Sequence, residues 1–283
     1  MLAPHAFALH KAPVADNIML KDKVVAITGA KGGIGRAFAR MFTNAGAQVS
    51  ISDLEAPDAT AAELGALSVA CDVSDEAQVR EFIDTTRAAM GDIDIWVGNA
   101  GVGFGDPGVA ASADNAAWAT SWNVNVMQNV YAARELLPGW VQRGHGRFVI
   151  VASAAGLLNQ IGSASYSATK HAAVGLAENI AITHWRDGIR AHVVCPQFVR
   201  TDMTAYMDLP DGSPLSLIEP GDVADALKAA MAEDRVLVLP HEVVGKYERN
   251  RATDRQRWIE GMVELQANMG DALGLQAFKT GGD

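Results

Sequence analysis

Tyr166 and Lys170 stand four residues apart in a stretch with helical spacing, so their side chains share one helix face. A tyrosine hydroxyl with an unperturbed pKa of about 10 is a poor base near neutrality. A neighbouring ammonium stabilises the phenolate, and each unit of lowering is worth about 1.4 kcal/mol. The pair could therefore move a proton, although alone it is a weak motif. A second constellation reads Thr28-Gly29-Ala30-Lys31-Gly32-Gly33-Ile34-Gly35. Glycines between a strand and a helix let the backbone approach a pyrophosphate, and the helix N-terminus offers free N–H groups at its positive end. The spacing is G-x-x-x-G-x-G rather than the general dinucleotide fingerprint, and no Gly-Lys-Ser/Thr makes it a P-loop. A plain strand-to-helix turn is the alternative. Asp53 follows Gly35 by 18 residues. A carboxylate there can bind both ribose hydroxyls and repel a 2′-phosphate, which favours NAD over NADP; a turn or cap aspartate is the alternative. Lys31 would pull toward a 2′-phosphate, but Asp53 opposes that phosphate directly.

These groups need elements to hold them. Val24 to Thr28 is an apolar, β-branched run, and Ile34, Ala37, Phe38, Met41, Phe42 and Ala45 mark one face of the helix after it. Val49 to Ser52 predicts a strand ending at Asp53, and Leu67 to Ala70 predicts another. Ser74 is expected to cap a helix that turns Val79, Phe82, Ile83 and Thr86 inward. Ile93 to Val97 reads as a strand, 117–138 as one long helix stopped by Pro138-Gly139, and Phe148 to Ala152 as a strand. The helix over 165–186 carries Tyr166, with Ala173, Val174, Ala177, Ile180 and Ala181 on one side. Ile189 to Cys195 (strand), 221–232 (helix) and Val236 to Leu239 (strand) complete the alternation. Apolar strands separated by amphipathic helices predict an α/β fold, a doubly wound parallel sheet covered on both faces. One domain is expected over 23–240, with 1–22 as an N-terminal extension and 241–283 as a C-terminal helical segment. There, 245–269 is charged and helical, with Trp258, Ile259, Met262, Val263 and Leu265 as an apolar stripe. That stripe must be covered by its own domain or by a partner subunit.

Further residues complete a set in a recognisable order. Cys71-Asp72-Val73 follows the third strand, Asn99-Ala100-Gly101 the fourth, and Asn125 lies in Asn123-Val124-Asn125-Val126. Ser153 stands thirteen before Tyr166, and Pro196-x2-Val199-x-Thr201 follows the sixth strand. With Thr28-x4-Gly33-x-Gly35 and Tyr166-x3-Lys170, the chain resembles the short-chain dehydrogenase/reductase family over 23 to about 202. The resemblance implies a single Rossmann-like domain, NAD as cofactor, and hydride transfer at an alcohol or ketone carbon. It implies that Tyr166 is the general acid/base. Lys170 lowers its pKa and holds the nicotinamide ribose, Ser153 bonds the substrate oxygen, and Asn125 holds a water in a proton path to Lys170. It assigns the cofactor to Gly29, Lys31, Gly33, Ile34, Gly35, Asp53, Leu54, Asp72, Val73, Asn99, Ala100, Gly101, Tyr166, Lys170, Val199 and Thr201. Without the resemblance, Ser153 could simply end a strand and Asn125 could be a satisfied helix polar group.

Two departures stand out. The family usually has glycine where this chain has Gln197, in Cys195-Pro196-Gln197-Phe198. If that position needs positive φ, a side chain cannot make the same approach; the Gln197 amide could instead face the substrate or be a surface turn. The C-terminal helix replaces the family's usual ending. The family's tetramer uses its last strand and the helices beginning near 118 and 165, so a homodimer or homotetramer is expected. Residues 202–219 occupy the family's lid. They hold Met203, Tyr206, Met207, Leu209, Leu215 and Leu217 without Lys or Arg, which points to a substrate with a hydrophobic body, an ordinary packed loop being the alternative. His171 points away from Lys170 round the helix and reads as a packing residue.

Composition excludes other classes. Apolar residues make up 49%, enough for a sizeable core, and the net charge is −10, which disfavours nucleic acid and anionic membranes as partners. Cys71 and Cys195 form no disulfide framework or zinc set, no pair of histidines has metal-ligand helix spacing, and no metal is expected. No apolar run reaches the roughly 18 residues of a membrane span, and the first twenty residues lack a leader's basic and then apolar pattern. A cytoplasmic protein with a small-molecule substrate is the expectation. An NADPH-dependent ketone reductase and a non-catalytic NAD(H)-binding regulator remain as alternatives, the latter having no need of Ser153. Tyr166→Phe is expected to keep NADH affinity and to lose turnover by about a hundredfold or more; near-normal turnover in steady-state assays would sink the assignment.

Overall fold

The computed structural model describes residues 19–106, 108–205 and 217–269. Tyr206, Met207, Leu209 and Leu215 of the expected lid, and residues 1–18 of the expected extension, lie outside the described residues. The strands are β1 (Val24–Thr28), β2 (Gln48–Asp53), β3 (Leu67–Ala70), β4 (Ile95–Gly98), β5 (Gly146–Val151), β6 (Ile189–Val194), β7 (Phe198–Val199), β8 (Leu217–Ile218) and β9 (Leu237–Val238). The helices are α1 (Gly33–Asn44), α2 (Asp58–Leu64), α3 (Glu76–Met90), α4 (Asn115–Trp122), α5 (Gln128–Arg143), α6 (Ala164–His184), α7 (Pro220–Ala232), α8 (Glu242–Thr253) and α9 (Arg255–Met269). Seven strands form one parallel sheet in the order β3-β2-β1-β4-β5-β6-β9, while β7 and β8 pair separately.

Alternation along β1 shows why the sheet is covered on both faces. Val24 and Ala26 join a core with α3, α5 and α6, whereas Val25 and Ile27 join one with α1 and α7. Both faces of β1 are buried, so the strand is apolar at every position up to Thr28. The first core is built on aromatics: Trp96 packs against Phe82 and Phe148, and Phe148 against Trp140.

The helix expected over 117–138 is different. It begins at Asn115, passes through a π turn over Asn123–Met127, and continues as α5 to Arg143 with Pro138 inside it. Proline in a helix interior costs about 3 kcal/mol. Burial of Leu136 and Trp140 offsets that, and Trp140 Nε1 also donates to the Ile93 carbonyl at 2.7 Å. The stop comes at Gly144, whose φ of 75° is left-handed. Asp75, rather than Ser74, caps α3, accepting from Ala77 N at 2.8 Å; the Ser74 amide is already held by Asp72 Oδ1.

The tail is two helices rather than one, broken at Asp254, whose side chain accepts from Arg257 N in the first turn of α9. Of the stripe, Trp258 and Met262 are half-buried, but Ile259, Val263 and Leu265 are exposed. Among the described residues no helix is long and apolar enough to cross a membrane. Trp140→Ala should destabilise the protein by about 3–5 kcal/mol in urea unfolding; a loss below about 1 kcal/mol would show that the aromatic cluster does not hold α5 in place.

Candidate active site

The cleft opens at the carboxyl ends of the strands, where β1 is flanked by β2 on one side and β4 on the other. Three glycines are fixed there by close approach. Gly29 has φ 63°, and a Cβ on it would lie 2.7 Å from Ala100 Cα. Gly33 has φ 54°, and a Cβ on it would lie 3.1 Å from Thr201 Cγ2. A Cβ on Gly35 would stand 2.3 Å from the Gly29 carbonyl and 2.6 Å from Asn99 Nδ2. Hydrogen bonds tie the same groups. Thr28 Oγ1 accepts from Asn99 N at 3.0 Å and Ala100 N at 3.1 Å, and Asn99 Nδ2 donates to the carbonyls of Thr28 (3.0 Å) and Gly29 (2.8 Å).

Asp53 ends β2 and braces the turn. Its two carboxylate oxygens accept from Lys31 N at 3.0 Å and from Leu54 N at 2.9 Å. The Lys31 ammonium bonds Glu55 at 2.8 Å, which raises the lysine pKa and lowers that of the glutamate. Sequence reasoning missed Glu55, because nothing in its spacing marks it. Cys71 lines the cleft beside Asp72, and burial pushes its thiol up to about 12, so it is an inert wall.

At the other end stand Ser153, Tyr166 and Lys170. Lys170 is only 4% exposed; its Nζ donates to the Val151 carbonyl at 3.0 Å and lies 5.5 Å from the centre of the Tyr166 ring. Burial lowers its pKa to about 8. Ser153 follows β5, and its Oγ accepts from Ala155 N at 3.1 Å. Ala154 N donates to the Pro196 carbonyl, joining the loops after β5 and β6. Asn125 sits in the π turn, behind the cleft wall. Its Oδ1 accepts from Val102 N at 2.9 Å, and its Nδ2 donates to Val102 O at 2.9 Å and to Thr169 Oγ1 at 3.0 Å. Gly101 lies between the two polar groups: a Cβ there would be 3.3 Å from both Asn125 Oδ1 and Lys170 Nζ.

The cleft has a volume of about 540 Å³. Of the candidate residues, Gly29, Lys31, Gly33, Ile34, Asp53, Leu54, Asp72, Val73, Asn99, Ala100, Gly101, Ser153, Tyr166, Lys170, Gln197, Val199, Thr201 and Met203 line it. Gly35 and Asn125 support it from behind. Val102, which no sequence motif marks, also lines it, as do Val124 and Pro196, which lie within motifs but carry no site role in the resemblance. Gln197 is not in a left-handed conformation, so the glycine the family prefers is not required for its backbone here. Its N–H donates to His241 Nδ1 at 3.2 Å. His171 takes the packing role: its Nδ1 bonds Ser167 O at 2.9 Å, and its Nε2 faces Arg251 of α8 at 3.3 Å.

The short chain dehydrogenase family model matches residues 23–210. Meso-2,3-butanediol dehydrogenase of Serratia marcescens is 37% identical over 188 residues, 65% of this chain and 74% of that protein. The 4-formylbenzenesulfonate dehydrogenase of Comamonas testosteroni is 34% identical over 235 residues, 76% of this chain and 92% of that protein. A solved short chain dehydrogenase/reductase from Burkholderia phymatum, in complex with NAD, superposes with a TM-score of 0.73 at 28% identity, covering 85% of this chain and 96% of that one.

The buried lysine has a measurable consequence. Its proton is held more weakly in the folded chain, at about 8, than at its ordinary value of 10.5. Below about 8 it lowers stability by the full difference, and the loss is relieved as pH rises from about 8 to 10.5. Lys170→Met should therefore raise the stability of the cofactor-free protein at pH 7 by ~1–3 kcal/mol while abolishing turnover. It should also remove that part of the rise with pH; identical pH slopes for both proteins in urea unfolding would refute this.

Proposed function

The chain belongs to the short-chain dehydrogenase family, and from that premise we propose that it transfers a hydride between NAD(H) and a secondary alcohol or ketone with a hydrophobic body. The observation that carries the reading is the joint placement of Ser153, Tyr166 and Lys170 on one wall of a cleft whose far end is a glycine cradle. The cradle fits a dinucleotide: at Gly29 and Gly35 the backbones touch so closely that no side chain could enter, and α1 opens with an extended Gly32 that leaves its first N–H groups free for phosphate oxygens.

Asp53 and Glu55 support NAD rather than NADP. A 2′-phosphate at the end of β2 would meet the Asp53 carboxylate, while the Lys31 ammonium that could attract it is paired with Glu55. Asp72 and Val73 would flank the adenine, and Val199 and Thr201 the nicotinamide.

NAD+, when bound, accepts the hydride from the substrate carbon. Tyr166 as phenolate takes the hydroxyl proton, leaving the carbonyl behind. The Lys170 ammonium, 5.5 Å from the centre of the Tyr166 ring, stabilises that phenolate and would hold the nicotinamide ribose. Ser153 donates a hydrogen bond to the substrate oxygen as charge develops on it. Asn125 fastens the Val102 loop beside Lys170, keeping the proton path in register. Met203, Val102 and Val124 give the substrate end an apolar lining. We take the working form to be a homodimer or homotetramer, supported by apolar side chains left in solvent: Trp122 of α4, Ile182 of α6 and Ile259 and Val263 of α9.

A panel of aliphatic, aromatic, steroid and cyclic secondary alcohols, run separately with NAD+ and NADP+, tests this reading. Turnover is expected with NAD+, and Asp53→Ser should shift the NAD+/NADP+ preference toward NADP+ by about tenfold or more. Preference for NADP+ in the unsubstituted protein would overturn the cofactor assignment, and NADH binding without turnover on any alcohol would overturn the catalytic one.

A further inference from the structure

Gln128 opens α5, is 1% exposed, and has no part in the proton transfer described above. Its side chain nonetheless meets three segments of the cleft. Oε1 accepts the Thr28 hydroxyl at 2.8 Å; Nε2 donates to the Ala100 carbonyl at 2.6 Å and to the Val124 carbonyl. The partners force this orientation. Thr28 Oγ1 already accepts two backbone N–H groups, so its single proton must be donated, and it needs an acceptor. Ala100 and Val124 offer carbonyls, which need donors.

The Val124 carbonyl explains the local backbone. In an unbroken α-helix it would accept from the backbone N–H of residue 128. Here that N–H bonds Asn123 O, five residues back, which is the π turn. The Gln128 N–H is thus not given to the Val124 carbonyl, and the Gln128 side-chain Nε2 donates to it instead. Removing that donor favours return of the N–H to Val124, an ordinary α register. One residue of register rotates the preceding turn by about 100°, which would carry Asn125 away from Val102 and Thr169.

We propose that Gln128 is a positioning residue that holds the π turn open, and so sets Asn125 and the Val102 loop beside Lys170. The kinetic consequence rests on the proton-transfer role given to Lys170 and Asn125; the structural one does not. The test compares Gln128→Leu, Gln128→Glu, Asn125→Ala and the Gln128→Leu/Asn125→Ala double variant in the full chain.

Hydrogen exchange at residues 99–105 reads the structural claim. Both Gln128 variants should speed exchange at the Val102 amide as Asn125→Ala does, with residues 146–151 in the sheet unchanged. The carboxylate of Gln128→Glu can accept from Thr28 but cannot donate to two carbonyls, so similar volume should not rescue it. Unchanged exchange at Val102 overturns the proposal, whatever the enzyme's substrate. Kinetically, kcat should fall about tenfold or more with KM for NAD+ within about threefold, and the double variant should be no slower than Asn125→Ala alone. Additive losses, or a loss confined to KM for NAD+, would also overturn it.

Discussion

The cleft depends on the seam where β1 and β4 end side by side. The chain leaving β1 enters α1 on one face of the sheet, and β4 leads toward helices on the other, so the two backbones must part there. What holds them until they part is a closed set of hydrogen bonds between Thr28 and the Asn99-Ala100 backbone, with Asn99 bonding back to Thr28 and Gly29. The bonds draw the turns to within van der Waals limits, which is why Gly29 and Gly35 admit no Cβ. Composition at the seam is therefore dictated by distance before any ligand is considered. A buried polar network of this kind favours one arrangement, because any member displaced leaves others unsatisfied.

The second constraint is electrostatic. Lys170 is charged near neutrality and almost wholly buried, and its hydrogen bond is to a neutral carbonyl. Such a group opposes folding, since water no longer solvates the ammonium. Its position makes sense through Tyr166, one turn away on the same helix. In the proposed reaction this places a positive charge beside the phenol whose proton moves.

The sequence is legible where local pattern and tertiary demand agree. β1 falls on the expected residues because a strand buried on both faces reads as an apolar run, and Tyr166 and Lys170 share a face because helical spacing alone decides it. It is illegible where distant partners decide. Pro138 reads as a stop, but Trp140 is anchored across the core to Ile93. The π turn depends on a glutamine that answers to Thr28 and Ala100, far away in the chain. Glu55 gains its meaning only once Lys31 is seen to reach it.

The C-terminal segment extends the same logic to the departure at Gln197. His241 stands immediately before α8 and its Nδ1 accepts the Gln197 N–H, and near the other end of α8 Arg251 donates to the Leu157 carbonyl at 2.7 Å and faces His171. One helix thus touches the loop after β6, the loop after Ser153, and the residue that follows Lys170. A glycine at 197 would add freedom to a turn that lines the cleft. The chain instead holds that turn with the His241 side chain at the start of the C-terminal helices. The charged tail is better understood as a brace across the cleft's rim than as an appendage, and its exposed Ile259 and Val263 lie beyond the part that does the bracing.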